Sequence, residues 1–155
     1  MTSERQGTHH LVKRFVAPAA AIAITALTLS ASGFAQADSR DCRPEKLDGL
    51  YVFSATGYTI VAGVAQPKAI IEMIRFNGDG TLTVPGVSRS ANGQIFPMQA
   101  GSPGTYTVNA DCTGALVFNP GPTFDTLASP SGDELWMNQT NATNVLQGRV
   151  SRVSP

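Results

Sequence analysis

Residues 69–84 read AIIEMIRFNGDGTLTV, and this stretch decides the fold. Its first half, AIIEMIRF, is the most apolar run after the leader and is rich in strand formers. Asn77-Gly78-Asp79-Gly80 then supplies the positive-φ residues that a tight hairpin requires, and Thr81-Leu82-Thr83-Val84 returns as the partner strand. From Leu47 onward no stretch of about ten residues keeps a helical period.

The same grammar extends outward in both directions. Residues 50–53 (LYVF) open the first strand, Gly57 ends or bends it, and residues 58–68 read as a short strand or a long loop because Gly63 and Pro67 interrupt them. Asn92-Gly93 marks a turn between residues 87–90 and 94–96, and Pro97 assigns the latter run to an edge or a bulge. Residues 105–108 pair with 115–118 across a turn holding Asp111, Cys112 and Gly114. Asn119-Pro120-Gly121-Pro122 is another turn, followed by strands over residues 124–128, 134–139 and 145–152. A turn signal roughly every 8–12 residues predicts an all-β, antiparallel meander of eight or nine strands, closed into a barrel so that no edge is left open. A two-sheet β-sandwich is the alternative.

The N-terminal segment sets the chemistry open to the rest. Lys13 and Arg14 precede an apolar run from Phe15 to about Leu29, and Ala35-Gln36-Ala37 offers the small residues a signal peptidase accepts. Residues 1–37 are therefore expected to form a signal-peptide helix, cleaved after Ala37, leaving residues 38–155 as the barrel domain. The apolar run is nearer 15 than 20 residues, short for an uncleaved anchor, and Ser39-Arg40-Asp41 before Cys42 is no lipoprotein box. The expectation is a secreted or periplasmic protein with no stable membrane anchor. Both histidines, His9 and His10, lie in the leader, so the mature chain has no imidazole for a Ser-His pair or a metal site.

From Asp38 onward there are eight basic and ten acidic residues, without a basic cluster. That composition argues against nucleic acid and against an anionic membrane surface as partners. Cys42 and Cys112 are the only cysteines. In an exported chain they predict one structural disulfide, closing a loop of about 70 residues, worth roughly 4 kcal/mol in the chain-entropy model.

Three segments carry a resemblance: Leu47-Asp48-Gly49-Leu50-Tyr51-Val52-Phe53, Phe76-Asn77-Gly78-Asp79-Gly80, and residues 104–114, GTYTVNADCTG. Together they resemble a group of small exported bacterial proteins of unknown function. The resemblance implies a barrel of the calycin or allene-oxide-cyclase type and no catalytic residue, since its motifs are turns and strand starts.

Few side chains carry chemistry. Strand alternation puts Glu72 on one face with Ile70, Ile74 and Phe76. If that face lines the interior, apolar walls raise the carboxyl's pKa and make it a general acid or base; if not, Glu72 meets solvent or a neighbouring arginine. Tyr51, Tyr58 and Tyr106 offer hydroxyls, and Trp136, which shares a face with Glu134 and Asn138, could stack a ligand at the mouth or pack in the core. Tyr51, Phe53, Glu72 and Trp136 are the ligand-binding candidates, and Glu72, Tyr51 and Tyr106 the weak catalytic ones. Asp79 reads as a hairpin residue, because the spaced oxygens of a calcium loop are missing. Asn138-Gln139-Thr140 and Asn141-Ala142-Thr143 read as a polar surface loop.

The resulting expectation is an exported, non-enzymatic β-barrel without metal or cofactor. It binds a small apolar ligand or serves as an interaction module for an envelope or extracellular protein. The alternative is a barrel cyclase or isomerase using Glu72 and a tyrosine.

Overall fold

A computed structural model describes residues 41–155. The leader, His9, His10 and the cleavage point after Ala37 lie outside the described residues. A 3-10 turn, Pro44–Leu47, leads into nine strands: β1 (Gly49–Val61), β2 (Val64–Phe76), β3 (Thr81–Ala91), β4 (Gln94–Gln99), β5 (Gly104–Val108), β6 (Thr113–Phe118), β7 (Thr123–Ala128), β8 (Glu134–Gln139) and β9 (Asn144–Ser154).

The hydrogen-bonded order is β2-β1-β9-β8-β7-β6-β5-β3-β4, and β2 also pairs with β3. That last ladder closes eight antiparallel strands into a barrel and leaves β4 as a ninth strand hung on β3. A sandwich would break the ladder into two sheets; here it runs round without a gap.

Two expectations about strand ends are corrected. β1 does not stop at Gly57 but continues to Val61, and residues 58–68 are the two arms of a long β1–β2 hairpin turning at Ala62-Gly63, both at positive φ. Gly57 is there for space rather than for a bend: a Cβ on it would stand 1.9 Å from the Val145 carbonyl oxygen of β9. Likewise residues 81–84 and 87–90 are one strand, β3, which changes neighbour along its length. Thr81 and Leu82 pair with β5, whereas residues from Val87 onward pair with β4. Pro85, with no N–H to donate, falls in the interval between the two ladders. Pro97 lies in β4, an edge strand, as its sequence context predicts.

Up-and-down connectivity sends the turns alternately to two ends. One end is shut. There Phe76 meets Tyr51 and Tyr106 edge-to-face at centroid distances of 5.1 and 4.8 Å. The Tyr51 hydroxyl donates to the Gly132 carbonyl at 2.6 Å, and that of Tyr106 to the Pro44 carbonyl at 3.1 Å. Arg152 lies 4.7 Å from the Tyr51 ring centroid, donates to the Asp48, Lys46 and Gly132 carbonyls, and pairs with Asp133 at 3.1 Å. The Cys42–Cys112 disulfide is formed and ties the segment before the 3-10 turn to the β5–β6 turn at this end. A disulfide places the folded domain in an oxidising compartment rather than the cytosol.

The shut end also holds one turn built twice. In Asn77-Gly78-Asp79-Gly80-Thr81, the Thr81 amide and hydroxyl donate to Asp79 Oδ1 at 2.9 and 2.6 Å while Asn77 Nδ2 donates to Thr81 Oγ1 at 2.9 Å. Asn109-Ala110-Asp111-Cys112-Thr113 repeats every one of these bonds. The threonine bonds hold both aspartates below the usual carboxylate range. Cys112 takes the left-handed conformation, φ 73°, where the first turn uses Gly80. Asp79 is thus a turn residue engaged with its own loop.

Candidate functional site

The opposite end of the barrel is open. Between the upper halves of β1, β2 and β3 on one side and the β6–β7 and β8–β9 turns on the other lies a cavity of about 690 Å³. Its apolar walls come from inward positions of six strands and include Phe53, Ile70, Val87, Phe118, Phe124 and Leu146. Phe124 stands edge-on to both Phe53 and Phe118, at 5.9 and 6.0 Å between centroids. These three rings form the floor above the filled core.

Glu72 projects into this cavity. Alternation groups it with Ile70, Ile74 and Phe76, and its register opposite Phe53 on β1 and Val87 on β3 decides that this shared face is the inward one. The residue is 8% exposed, and burial alone pushes its carboxyl up from 4.5 to about 7. Among the described residues no hydroxyl or guanidinium hydrogen-bonds to it. A carboxyl with this pKa exchanges protons readily near neutrality.

Gln139, at the upper end of β8, is equally buried. Its Nε2 donates to Asn141 Oδ1 at 3.2 Å, while its Oε1, although buried, accepts no hydrogen bond among the described residues. An acceptor left so costs about 1–3 kcal/mol. The sequence ends a strand, residues 134–139, at this residue inside a polar stretch that reads as surface, and the structure corrects the surface placement: Leu135, Met137 and Gln139 share the inward face of β8. Period-two alternation was the available signal, hidden by the polar residues on either side.

Two cations complete the rim. Lys68 and Arg89 both line the cavity. The Arg89 guanidinium lies 4.2 Å from the Phe96 ring centroid. The Lys68 ammonium is pushed below its ordinary pKa, first by burial and then by Arg89. Neither pairs with a carboxylate among the described residues.

The other sequence candidates lie elsewhere. Tyr51 and Tyr106 are at the shut end with their hydroxyls engaged, and burial pushes both phenols up. Tyr58 is half exposed on the outer side of the β1–β2 hairpin. Trp136 faces outward, 42% exposed, with Arg149 lying 5.8 Å from its ring centroid, so it neither packs in the core nor stacks at the mouth. Of the four ligand-binding candidates the structure brings together Phe53 and Glu72. It does not bring Glu72 together with a tyrosine. A second hollow, of about 760 Å³, lies outside the barrel wall beside Tyr58, Ile95 and Val145, and its only charged lining residue is Lys68.

Among the described residues no group of three His, Cys, Asp or Glu side chains could hold a metal ion, and no helix is long and apolar enough to cross a membrane. No known family model, curated protein or solved structure matches the chain.

Proposed function

We propose that this protein is an exported, non-enzymatic binding barrel that holds a small, largely apolar ligand in its open half. The observation that carries the reading is Gln139 in the wall of a phenylalanine-lined cavity, its buried Oε1 without a hydrogen-bond partner among the described residues. A barrel filled only for stability has no use for an orphaned acceptor beside an unfilled volume, whereas a ligand can satisfy the one and occupy the other. The volume of about 690 Å³ falls in the range typical of small-molecule sites, roughly 300–1,000 Å³. Export rests on the leader read in residues 1–37 and agrees with the disulfide.

The test is titration of the full chain with a neutral fluorescent apolar probe, N-phenyl-1-naphthylamine. Saturable enhancement at one site is expected, and it should weaken in Ile70→Trp, whose indole would protrude into the cavity from the β2 wall. Absence of saturable binding, or binding indifferent to Ile70→Trp in a variant that melts cooperatively, refutes the reading. In that case the interaction-module reading gains, supported by the apolar side chains on the barrel's outer surface, where Val64 is 63% and Ile95 77% exposed.

A further inference from the structure

We infer that the ligand is an amphipathic anion, its acidic group held by Lys68 and Arg89 on the β2–β3 wall and a hydrogen-bond donor at its other end meeting Gln139 on the β8 wall. This rests on the binding reading above and specifies its chemistry.

The charge arrangement comes first. In the β2–β3 ladder Ile70 stands opposite Arg89 and Lys68 opposite Ala91, so Lys68 and Arg89 are diagonal neighbours. Two cations set side by side repel, and the lowered pKa of Lys68 records that repulsion together with its burial. In a folded domain such a pair is ordinarily relieved by a carboxylate, yet no ion pair to either exists among the described residues. Glu72, the acid on the same wall, lies two inward positions deeper than Lys68 and is itself diagonal to Arg89 across the ladder, yet forms an ion pair with neither among the described residues. An anion arriving at the mouth is the missing partner.

The opposite wall has the complementary need. Following the ring β3-β5-β6-β7-β8, Gln139 lies four strands from Arg89 in an eight-stranded barrel, which is the far side of the lumen. What is unpaired there is an acceptor, Gln139 Oε1, which takes a hydroxyl, amide or amine hydrogen. Between the two walls lie Phe53, Ile70, Phe118, Phe124 and Leu146, which offer only apolar contact. A ligand matching all three surfaces carries charge at one end, an apolar body, and a polar hydrogen at the other. A purely apolar ligand would leave both cations and the amide oxygen unanswered. A cationic ligand would be repelled at the mouth.

The experiment compares two probes sharing one apolar body, 8-anilinonaphthalene-1-sulfonate and neutral N-phenyl-1-naphthylamine, on the full chain, on Lys68→Met/Arg89→Met and on Gln139→Leu. The double variant should lose about tenfold or more in affinity for the sulfonate, a change of about 1.4 kcal/mol per tenfold, while holding the neutral probe within about twofold. Added salt should weaken the sulfonate alone in the unaltered chain, a readout that needs no variant to fold. Gln139→Leu should cut affinity for 6-hydroxynaphthalene-2-sulfonate and leave that for naphthalene-2-sulfonate, which has no hydrogen-bond donor, unchanged. Equal losses of both probes in the double variant, together with salt-independent binding, would overturn the inference while leaving the binding reading intact. If neither probe binds the unaltered chain, the binding reading itself fails.

Discussion

Replacing Glu72 by glutamine separates the cost of a buried charge from everything else about the site. In the folded protein the carboxyl titrates at about 7 rather than 4.5, and desolvation is the only cause. Between those two values the folded state keeps a proton that the unfolded chain has already released, so stability falls as pH rises through this window and levels off above 7. At 1.36 kcal/mol per pH unit the interval amounts to about 3 kcal/mol. Glutamine has nearly the same shape and no charge to desolvate, so Glu72→Gln should match the parent near pH 4.5 and exceed it by up to about 3 kcal/mol at pH 8. For a domain of this size that is on the order of 10 °C in Tm. The assay is thermal unfolding of both proteins, followed by far-UV circular dichroism at half-unit intervals from pH 4.5 to 8.5. A difference in Tm that stays constant across the range, or a gain at pH 8 below about 1 kcal/mol, would refute the burial of this carboxylate.

Three further outcomes follow from other parts of the molecule. Opening the Cys42–Cys112 bond, which spans 70 residues, should cost roughly 4 kcal/mol and lower Tm by on the order of 15 °C; a melting point unchanged under a reductant shown by thiol titration to have opened it would count against the entropic account. Gly148→Ala should destabilise by about 1–3 kcal/mol in chemical denaturation, because its Cβ would stand 2.4 Å from the Ser54 carbonyl oxygen and 2.6 Å from the Phe53 ring. Affinity for the naphthalene sulfonate should rise as pH falls from 8 to 6, since protonating Glu72 removes the one carboxylate charge lining the cavity; a flat titration curve would show that Glu72 does not face the bound anion.

What could be read in advance divides along the range of the forces involved. The strand count, the hairpins at Asn77-Gly78-Asp79-Gly80 and Asn92-Gly93, and the face that Glu72 shares with Ile70, Ile74 and Phe76 follow from local turn chemistry and period-two alternation, both of which act over a few residues; that this face is the inward one does not, because both faces of the run are apolar. Gly57 was misread because glycine has two uses in a strand: it bends the chain, or it admits another backbone. Which use applies depends on β9, nearly ninety positions along, whose Val145 carbonyl passes over it. Arg152 gave no sequence signal, since its carbonyl partners come from the 3-10 turn region and from the β7–β8 turn, far apart in the chain. Tyr51 and Tyr106 look equivalent to Glu72 as polar residues in strands, and only the direction of each strand assigns them to the shut end.

That division of ends carries the last prediction. The shut end is over-determined: a disulfide, two tyrosine hydroxyl bonds, an arginine on three carbonyls and three interlocked aromatic rings all act there. The open end has hydrogen-bonded strands and little else across its lumen, so its wall residues lack contacts that a filled interior would give them. Stability and ligand access are thus assigned to different halves of the same strands, and a change that helps one should harm the other. Ile70→Trp enlarges a partly buried side chain facing the cavity and should raise the stability of the ligand-free protein by about 0.5–2 kcal/mol, the gain usual for filling a void. It should weaken probe binding at the same time. A substitution of the same kind at the shut end, Leu82→Trp, meets a fully packed site and should destabilise by about 1–3 kcal/mol. Opposite signs for the two tryptophans in urea unfolding are what a half-filled barrel requires, and equal destabilisation by both would mean that the open half is as tightly packed as the shut one.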